Sequence, residues 1–152
     1  MLLQIMEIIR QDTGYGLRAL LEMANQDREA WLTAEQLADA AGASTDFMHK
    51  IMQSLRRAGV VASRRGPGGG FCLARRPEET TLLDVVLAVQ GPLTLDRCVM
   101  GLNICKHEDC CPLGEAWSRV RQTMDDALAA TTLADLAATT RTAEAGVARA
   151  AP

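Results

Sequence analysis

Aromatic residues are scarce: two Trp, two Phe and one Tyr make up 3% of the 152 residues. Leu, Met, Val and Ala must therefore fill the core, which favours helices packed on helices over a sandwich of strands. Only two histidines are present, and no Gly-x4-Gly-Lys-Ser/Thr phosphate loop occurs. With no catalytic base or nucleotide loop to name, an enzyme finds little support. No apolar run is long enough to span a bilayer. The opening stretch from Met1 to Ile9 is interrupted by Gln4 and Glu7, stops at Arg10, and lacks the charged leader and cleavage site of a secretory signal. A cytoplasmic protein without a membrane partner is expected. The net charge of −3 excludes a globally basic nucleic-acid binder.

What is present is unevenly placed. Residues 43–76 carry seven Lys and Arg against one Asp, a local +6, so the rest of the chain is at −9. A basic face on an acidic body suits a phosphate backbone, although a solvated basic surface would read the same way. From Ile8 to Asn25, Leu17, Leu20, Leu21 and Ala24 recur at helical spacing, interrupted early by Gly14 and Gly16. Thr33 and Gln36 form a capping box for a short helix with Leu37, Ala38 and Ala41 inside, stopped by Gly42. Ser44 or Thr45 then opens a helix to Ala58, with Phe47, Met48, Ile51, Met52 and Leu55 as its inner stripe and Gly59 as its C-terminal glycine. Two short helices joined by a glycine turn are the pattern of a helix-turn-helix.

Val60 and Val61 begin a strand whose return is Phe71, Cys72 and Leu73. The loop between them, Arg64-Arg65-Gly66-Pro67-Gly68-Gly69-Gly70, is the thin basic ribbon that a wing needs to enter a minor groove. Thr81 to Val89, with Leu82, Leu83, Val85, Val86 and Leu87, reads as a short buried helix ended by Gly91-Pro92. Pro112 opens a long helix through about Ala130. Its stripe of Leu113, Ala116, Trp117, Val120, Met124, Ala127 and Leu128 calls for a partner, most simply the same helix of a second subunit, or else its own domain. From Ala137 the chain is mostly Ala and Thr, and a disordered tail over 137–152 is expected.

Four of the five cysteines lie between positions 98 and 111. Cys98, Cys105 and Cys111 sit in one irregular loop, with Cys110 beside the last. Such a loop can aim several thiolates at one iron–sulfur centre. A zinc site using His107 and a thiol redox pair remain alternatives, the first without the usual compact Cys pair. Cys72, apart on the wing strand, reads as a small apolar filler.

Taken together, Leu55-Arg56-Arg57-Ala58-Gly59-Val60-Val61 and Arg65-Gly66-Pro67-Gly68-Gly69-Gly70-Phe71 resemble the winged-helix signature of IscR- and NsrR-type regulators, the Rrf2 family. Tyr15-Gly16-Leu17-Arg18-Ala19-Leu20 resembles that family's first helix. Cys98, Cys105 and Cys111, with Trp117 beyond them, resemble its cluster cysteines and dimerisation helix, and Thr131 to Leu136 its ending. The resemblance, over about residues 8–136, implies a homodimeric regulator, mainly α with a β-hairpin wing, on a pseudo-palindromic site in double-stranded DNA. It implies promoter binding controlled by a 2Fe–2S or 4Fe–4S cluster on three Cys and one variable ligand. Carried over by position, Ser44, Thr45, Asp46, His49 and Lys50 fall on the recognition helix, and Ser63, Arg64, Arg65, Gly66 and Gly68 on the wing.

Two departures concern the fourth ligand. Gly114 stands where IscR-type members have histidine, and Gly14 stands where NsrR-type members have aspartate. Cys110, His107, Glu108, Asp109 or Asp12 of a partner subunit are the substitutes on offer. The expected organisation is a DNA-binding domain at 8–90, a cluster loop at 91–111, and a dimerisation helix with its end segment at 112–136. The alternative is a cluster-free winged-helix regulator controlled by thiol oxidation or by a partner protein.

Overall fold

The computed structural model describes residues 9–27, 30–93 and 112–140. Helix α1 (Gln11–Asn25) begins where the backbone N–H of Arg10 and the hydroxyl of Thr13 both donate to Gln90 Oε1 at 2.8 Å. The two early glycines do not break it. Gly16 lies where α1 packs on later helices: a Cβ there would meet Ile51 Cγ2 at 3.2 Å. Its buried line is Thr13, Gly16, Ala19, Leu20 and Met23, while Leu17, Leu21 and Ala24 pack only at the margin.

Helix α2 (Ala34–Ala41) starts at the expected capping box, with Gln36 N–H on Thr33 Oγ1 at 3.2 Å and Thr33 N–H on Gln36 Oε1 at 2.8 Å. Gly42 ends it at φ 73°. Helix α3 (Thr45–Arg57) is capped by the Ser44 hydroxyl. It closes with Val60 N–H on Leu55 O at 2.9 Å and Gly59 N–H on Arg56 O at 3.0 Å, Gly59 lying at φ 71°. That is a Schellman closure, and it buries Leu55 and Val60 together.

Strands β1 (Val61–Arg64) and β2 (Gly70–Leu73) pair antiparallel with Val61 opposite Leu73 and Arg64 opposite Gly70. Leu32 adds a third rung on the other side of β2, exchanging backbone hydrogen bonds with Phe71 at 3.0 and 2.8 Å. A 3-10 turn (Pro77–Glu79) leads to α4 (Leu82–Val89), whose capping box is Thr81 with Asp84. Helix α4 packs on α1, α3 and the last long helix, α5 (Pro112–Ala130).

The core contains Leu20, Leu37, Met48, Met52, Leu55, Val60, Val61, Val85, Val86 and Leu133, all fully buried. Among the described residues Phe71 is the one buried aromatic ring, in line with a core built from aliphatic side chains. Three expectations need correction. Phe47 is not inside: it stands exposed, edge-on to Tyr15 with ring centroids 6.0 Å apart. Leu87, placed in a buried helix, is 47% exposed because α4 buries only its Val85–Val86 side fully. The disordered tail expected over 137–152 does not hold for 137–140, since residues 133–140 are helical and Ala137 is buried. The cause is a local cap: Thr132 Oγ1 accepts from Asp135 N–H at 3.2 Å, and Asp135 accepts from Thr132 N–H at 2.9 Å. Thr131 and Leu133 then lock this end to Leu82 and Thr80 through backbone bonds of 2.9 and 2.8 Å. Residues 141–152 lie outside the described residues.

Candidate nucleic-acid interface

Helix α3 is divided lengthwise. Met48, Ile51, Met52 and Leu55 face the core, and Thr45, Asp46, His49, Lys50, Gln53, Arg56 and Arg57 face out. The amphipathic period leaves one polar face free for an outside partner. Thr45, His49, Gln53 and Arg56 line one wall of an open groove. The other wall is the hairpin, through Ser63, Arg64, Arg65, Gly70 and Phe71, and Thr33, Ala34 and Glu35 close one end. The His49 ring lies against Phe71, with centroids 6.3 Å apart at 66°, so it joins helix to hairpin.

The structure thus brings together Thr45, His49, Ser63, Arg64 and Arg65 of the expected residues. Ser44, Asp46, Lys50, Gly66 and Gly68 are exposed beside the groove without lining it. Gln53 and Arg56 were missed by sequence reasoning, although they stand four and seven positions after His49, on one helical face. The wing tip is a tight turn with Gly69 N–H on Gly66 O at 2.9 Å, Pro67 second and Gly68 third at φ 69°. This is type II turn chemistry. The next two glycines have a different role, close approach. A Cβ on Gly69 would come within 2.3 Å of Arg64 O, and one on Gly70 within 2.3 Å of Leu32 O.

The two wing arginines are not equivalent. Arg64 Nη2 donates to Gly68 O at 2.6 Å, and its guanidinium lies over the Trp31 ring, 4.5 Å from the centroid. Arg65 is exposed and makes no hydrogen bond or ion pair with the described residues. Beyond the groove, Arg75 donates to Gly59 O at 3.2 Å and Ala58 O at 3.4 Å, at the carbonyl end of α3 where a cation is favoured. It also reaches Asp84 of the α4 capping box at 3.4 Å.

Cys98, Cys105, His107, Glu108, Asp109, Cys110 and Cys111 lie outside the described residues, and no group of three or more His, Cys, Asp or Glu is gathered among the described ones. Asp12, the candidate donor to a partner subunit, is paired with Arg10 of its own chain and accepts from Thr13 N–H at 2.9 Å. Cys72 is half-buried on β2, opposite Ala62. Burial pushes its thiol above the ordinary value, with Arg64 pulling the other way, so it stays a neutral thiol rather than a ready thiolate.

A helix-turn-helix whose second helix presents a polar face beside an arginine-bearing hairpin defines a winged-helix DNA-binding protein. A family model described as an iron-dependent transcriptional regulator, Rrf2, matches residues 9–139, and the chain belongs to the Rrf2 family. A rrf2-like HTH-type transcriptional regulator of Rhodobacter capsulatus, itself named as putative, is 35% identical over 118 residues, covering 76% of this chain and 77% of that protein. Among solved structures, the global cysteine regulator CymR of B. subtilis matches with a TM-score of 0.69 and 31% identity over 86% of this chain and 96% of its own. IscR of T. potens matches with a TM-score of 0.67 and 26% identity over 87% of each. The chain is therefore a DNA-binding transcriptional regulator and not an enzyme. No helix among the described residues is long and apolar enough to cross a membrane.

Proposed function

We propose that the protein is a cytoplasmic homodimeric repressor whose promoter binding is controlled by an iron–sulfur cluster on Cys98, Cys105 and Cys111. The observation that carries this reading is where the cysteine segment falls along the chain. It joins α4, which packs on the recognition helix α3, to α5, which exposes Leu113, Trp117 and Val120. A change in that segment would therefore act on both the DNA-reading helix and the helix that would set the distance to a second copy. The donor set fits the group by its chemistry: the thiols of Cys98, Cys105 and Cys111 are soft ligands of the kind such clusters take. The fourth donor would come from Cys110, His107, Glu108 or Asp109, or from Asp12 of a partner subunit once it gives up its pairing with Arg10. When bound, the cluster would supply a centre that oxidants or nitric oxide attack and that is lost when iron is short.

In this reading each subunit lays Ser44, Thr45, Asp46, His49 and Lys50 in a major groove of a two-fold DNA site. The wing places Ser63, Arg65, Gly66 and Gly68 at the flanking minor groove. Half-site spacing is geometrically strict, so a shift between the two α5 helices is read out as lost affinity. Iron and acid-labile sulfide per subunit, measured on anaerobically purified protein, test the cluster. Matched iron and sulfide, lost in Cys98→Ser or Cys111→Ser and kept in Cys72→Ser, is the expected result. Zinc in their place, or no metal after reconstitution, overturns it.

The likeness to CymR, as strong as that to IscR, supports a second reading in which the DNA-binding module is kept and the cluster dropped. Control then passes to thiol oxidation among Cys105, Cys110 and Cys111, or to a partner protein. A Cys98/Cys105/Cys111 triple variant that still responds to its signal favours a partner protein.

A further inference from the structure

The wing is built from residues that do little to hold it in one shape. Four of its seven residues from Arg64 to Gly70 are glycine, and its tip is exposed. A chain so rich in glycine loses more conformational freedom on ordering than any other. Something must restrain it before DNA arrives, or binding bears that cost. One side chain spans the loop. Arg64, the last residue of β1, reaches forward to the Gly68 carbonyl at 2.6 Å and lies back on the Trp31 ring at 4.5 Å. The backbone beside Trp31 is held, because the next residue, Leu32, is bonded to Phe71 in both directions. The tether therefore runs from the sheet, through an indole and a guanidinium, to the tip of the turn.

We propose that Arg64 is a positioning residue of the wing, clamped by Trp31, and that Arg65 alone delivers the wing's charge to DNA. The proposal rests on the wing reading above. Its chemistry is specific to arginine and an aromatic face: a planar guanidinium stacks on the ring and still has N–H groups for a carbonyl, which lysine cannot match. The two adjacent arginines, identical in charge, then separate by role. One has a donor engaged by the Gly68 carbonyl and its face against the Trp31 ring; the other has neither engaged by a described residue.

The test is operator binding by the full-length protein across a salt series, with Arg64→Ala, Arg65→Ala, Trp31→Ala and Trp31→Phe. Arg65→Ala is expected to lower the slope of log affinity on log salt by about 1, since one phosphate contact is removed. Arg64→Ala is expected to weaken binding about threefold to fivefold with the slope unchanged, the scale of an exposed cation–π contact. Trp31→Ala, which changes no charge, should reproduce that loss, add nothing to it in the double variant, and be partly rescued by Trp31→Phe. With Trp117→Phe as background, the remaining indole emission should shift in Arg64→Ala and not in Arg65→Ala, which reads the clamp without DNA. A slope lowered equally by Arg64→Ala, with Trp31→Ala binding normally, overturns the proposal and makes Arg64 a DNA contact. A slope untouched by Arg65→Ala overturns the wing reading instead, a separate result.

Discussion

The hairpin and helix α5 both project from the same helical core, and they are held by opposite means. The hairpin buries little beyond Val61 and Phe71, yet its base and its turn are tied together within one chain. Leu32 pairs with Phe71, glycines allow the close backbone approaches, and Arg64 bridges base to tip. Helix α5 is regular over all of Pro112–Ala130, and yet its large apolar side chains Leu113, Trp117 and Val120 stand 43%, 37% and 44% exposed. Among the described residues, backbone bonds and fully buried Leu133 fasten its far end to the domain. One region is complete in a single copy and polar for an outside ligand. The other is an apolar stripe exposed among the described residues, which the proposed dimer would cover with a second copy.

The largest effect should come from the fastening itself. Leu133→Ala removes a fully buried side chain and is expected to cost about 3 kcal/mol of unfolding free energy, measured by urea denaturation. A loss no larger than that of an exposed position would mean the end of α5 is not held, and the contrast with the hairpin would widen. Next comes the hairpin's closest approach. Gly70→Ala places a Cβ 2.3 Å from Leu32 O at a backbone φ of 144°, and should cost about 2 kcal/mol through strain and the weakened Leu32 rung. Amide exchange at Phe71 would show whether that rung opens. On the uncovered helix the sign differs: Val120→Asp should leave the chain's own stability within about 0.5 kcal/mol, while sedimentation shifts towards the monomer. An unfolded Val120→Asp chain would make α5 part of the core and end the comparison.

How much of this was legible follows from where the signals are local. The starts and stops of α2 and α3 could be read because Thr33, Gln36, Gly42, Ser44 and Gly59 act on their own backbone within a few residues. Pro112 fixed the start of α5 for the same reason. Facing was read less well. Phe47 and Leu87 are apolar and lie at helical spacing, but composition does not say on which side a neighbour stands. Ala137 shows the reverse: a small side chain is buried because Thr132 and Asp135 start a helix that brings it to the core. The wing could be recognised from its glycines, whereas the division of labour between Arg64 and Arg65 could not. It depends on Trp31, 33 positions away, and no local spacing announces that contact.

The smallest effect probes the same fastening by protonation. The hydroxyl and the N–H of Thr132 both donate to the Asp135 carboxylate, at 2.7 and 2.9 Å. These bonds hold the carboxyl below its ordinary range, the hydroxyl contributing most. Because the folded value is depressed, the cap's contribution is fully present above the ordinary carboxylate value of about 3.9. It is lost as the pH falls from there through the folded value. The side chain is exposed, so the effect on overall stability should be slight, and the readout is local. A carboxyl NMR titration of Asp135 should show a midpoint below that of a free aspartate, moving upward in Thr132→Ala, which keeps the N–H and loses the hydroxyl. Amides at 133–140 should lose protection in the same pH window while those at Phe71 do not. Simultaneous loss at both would show the C-terminal cap and the hairpin opening as one unit rather than two.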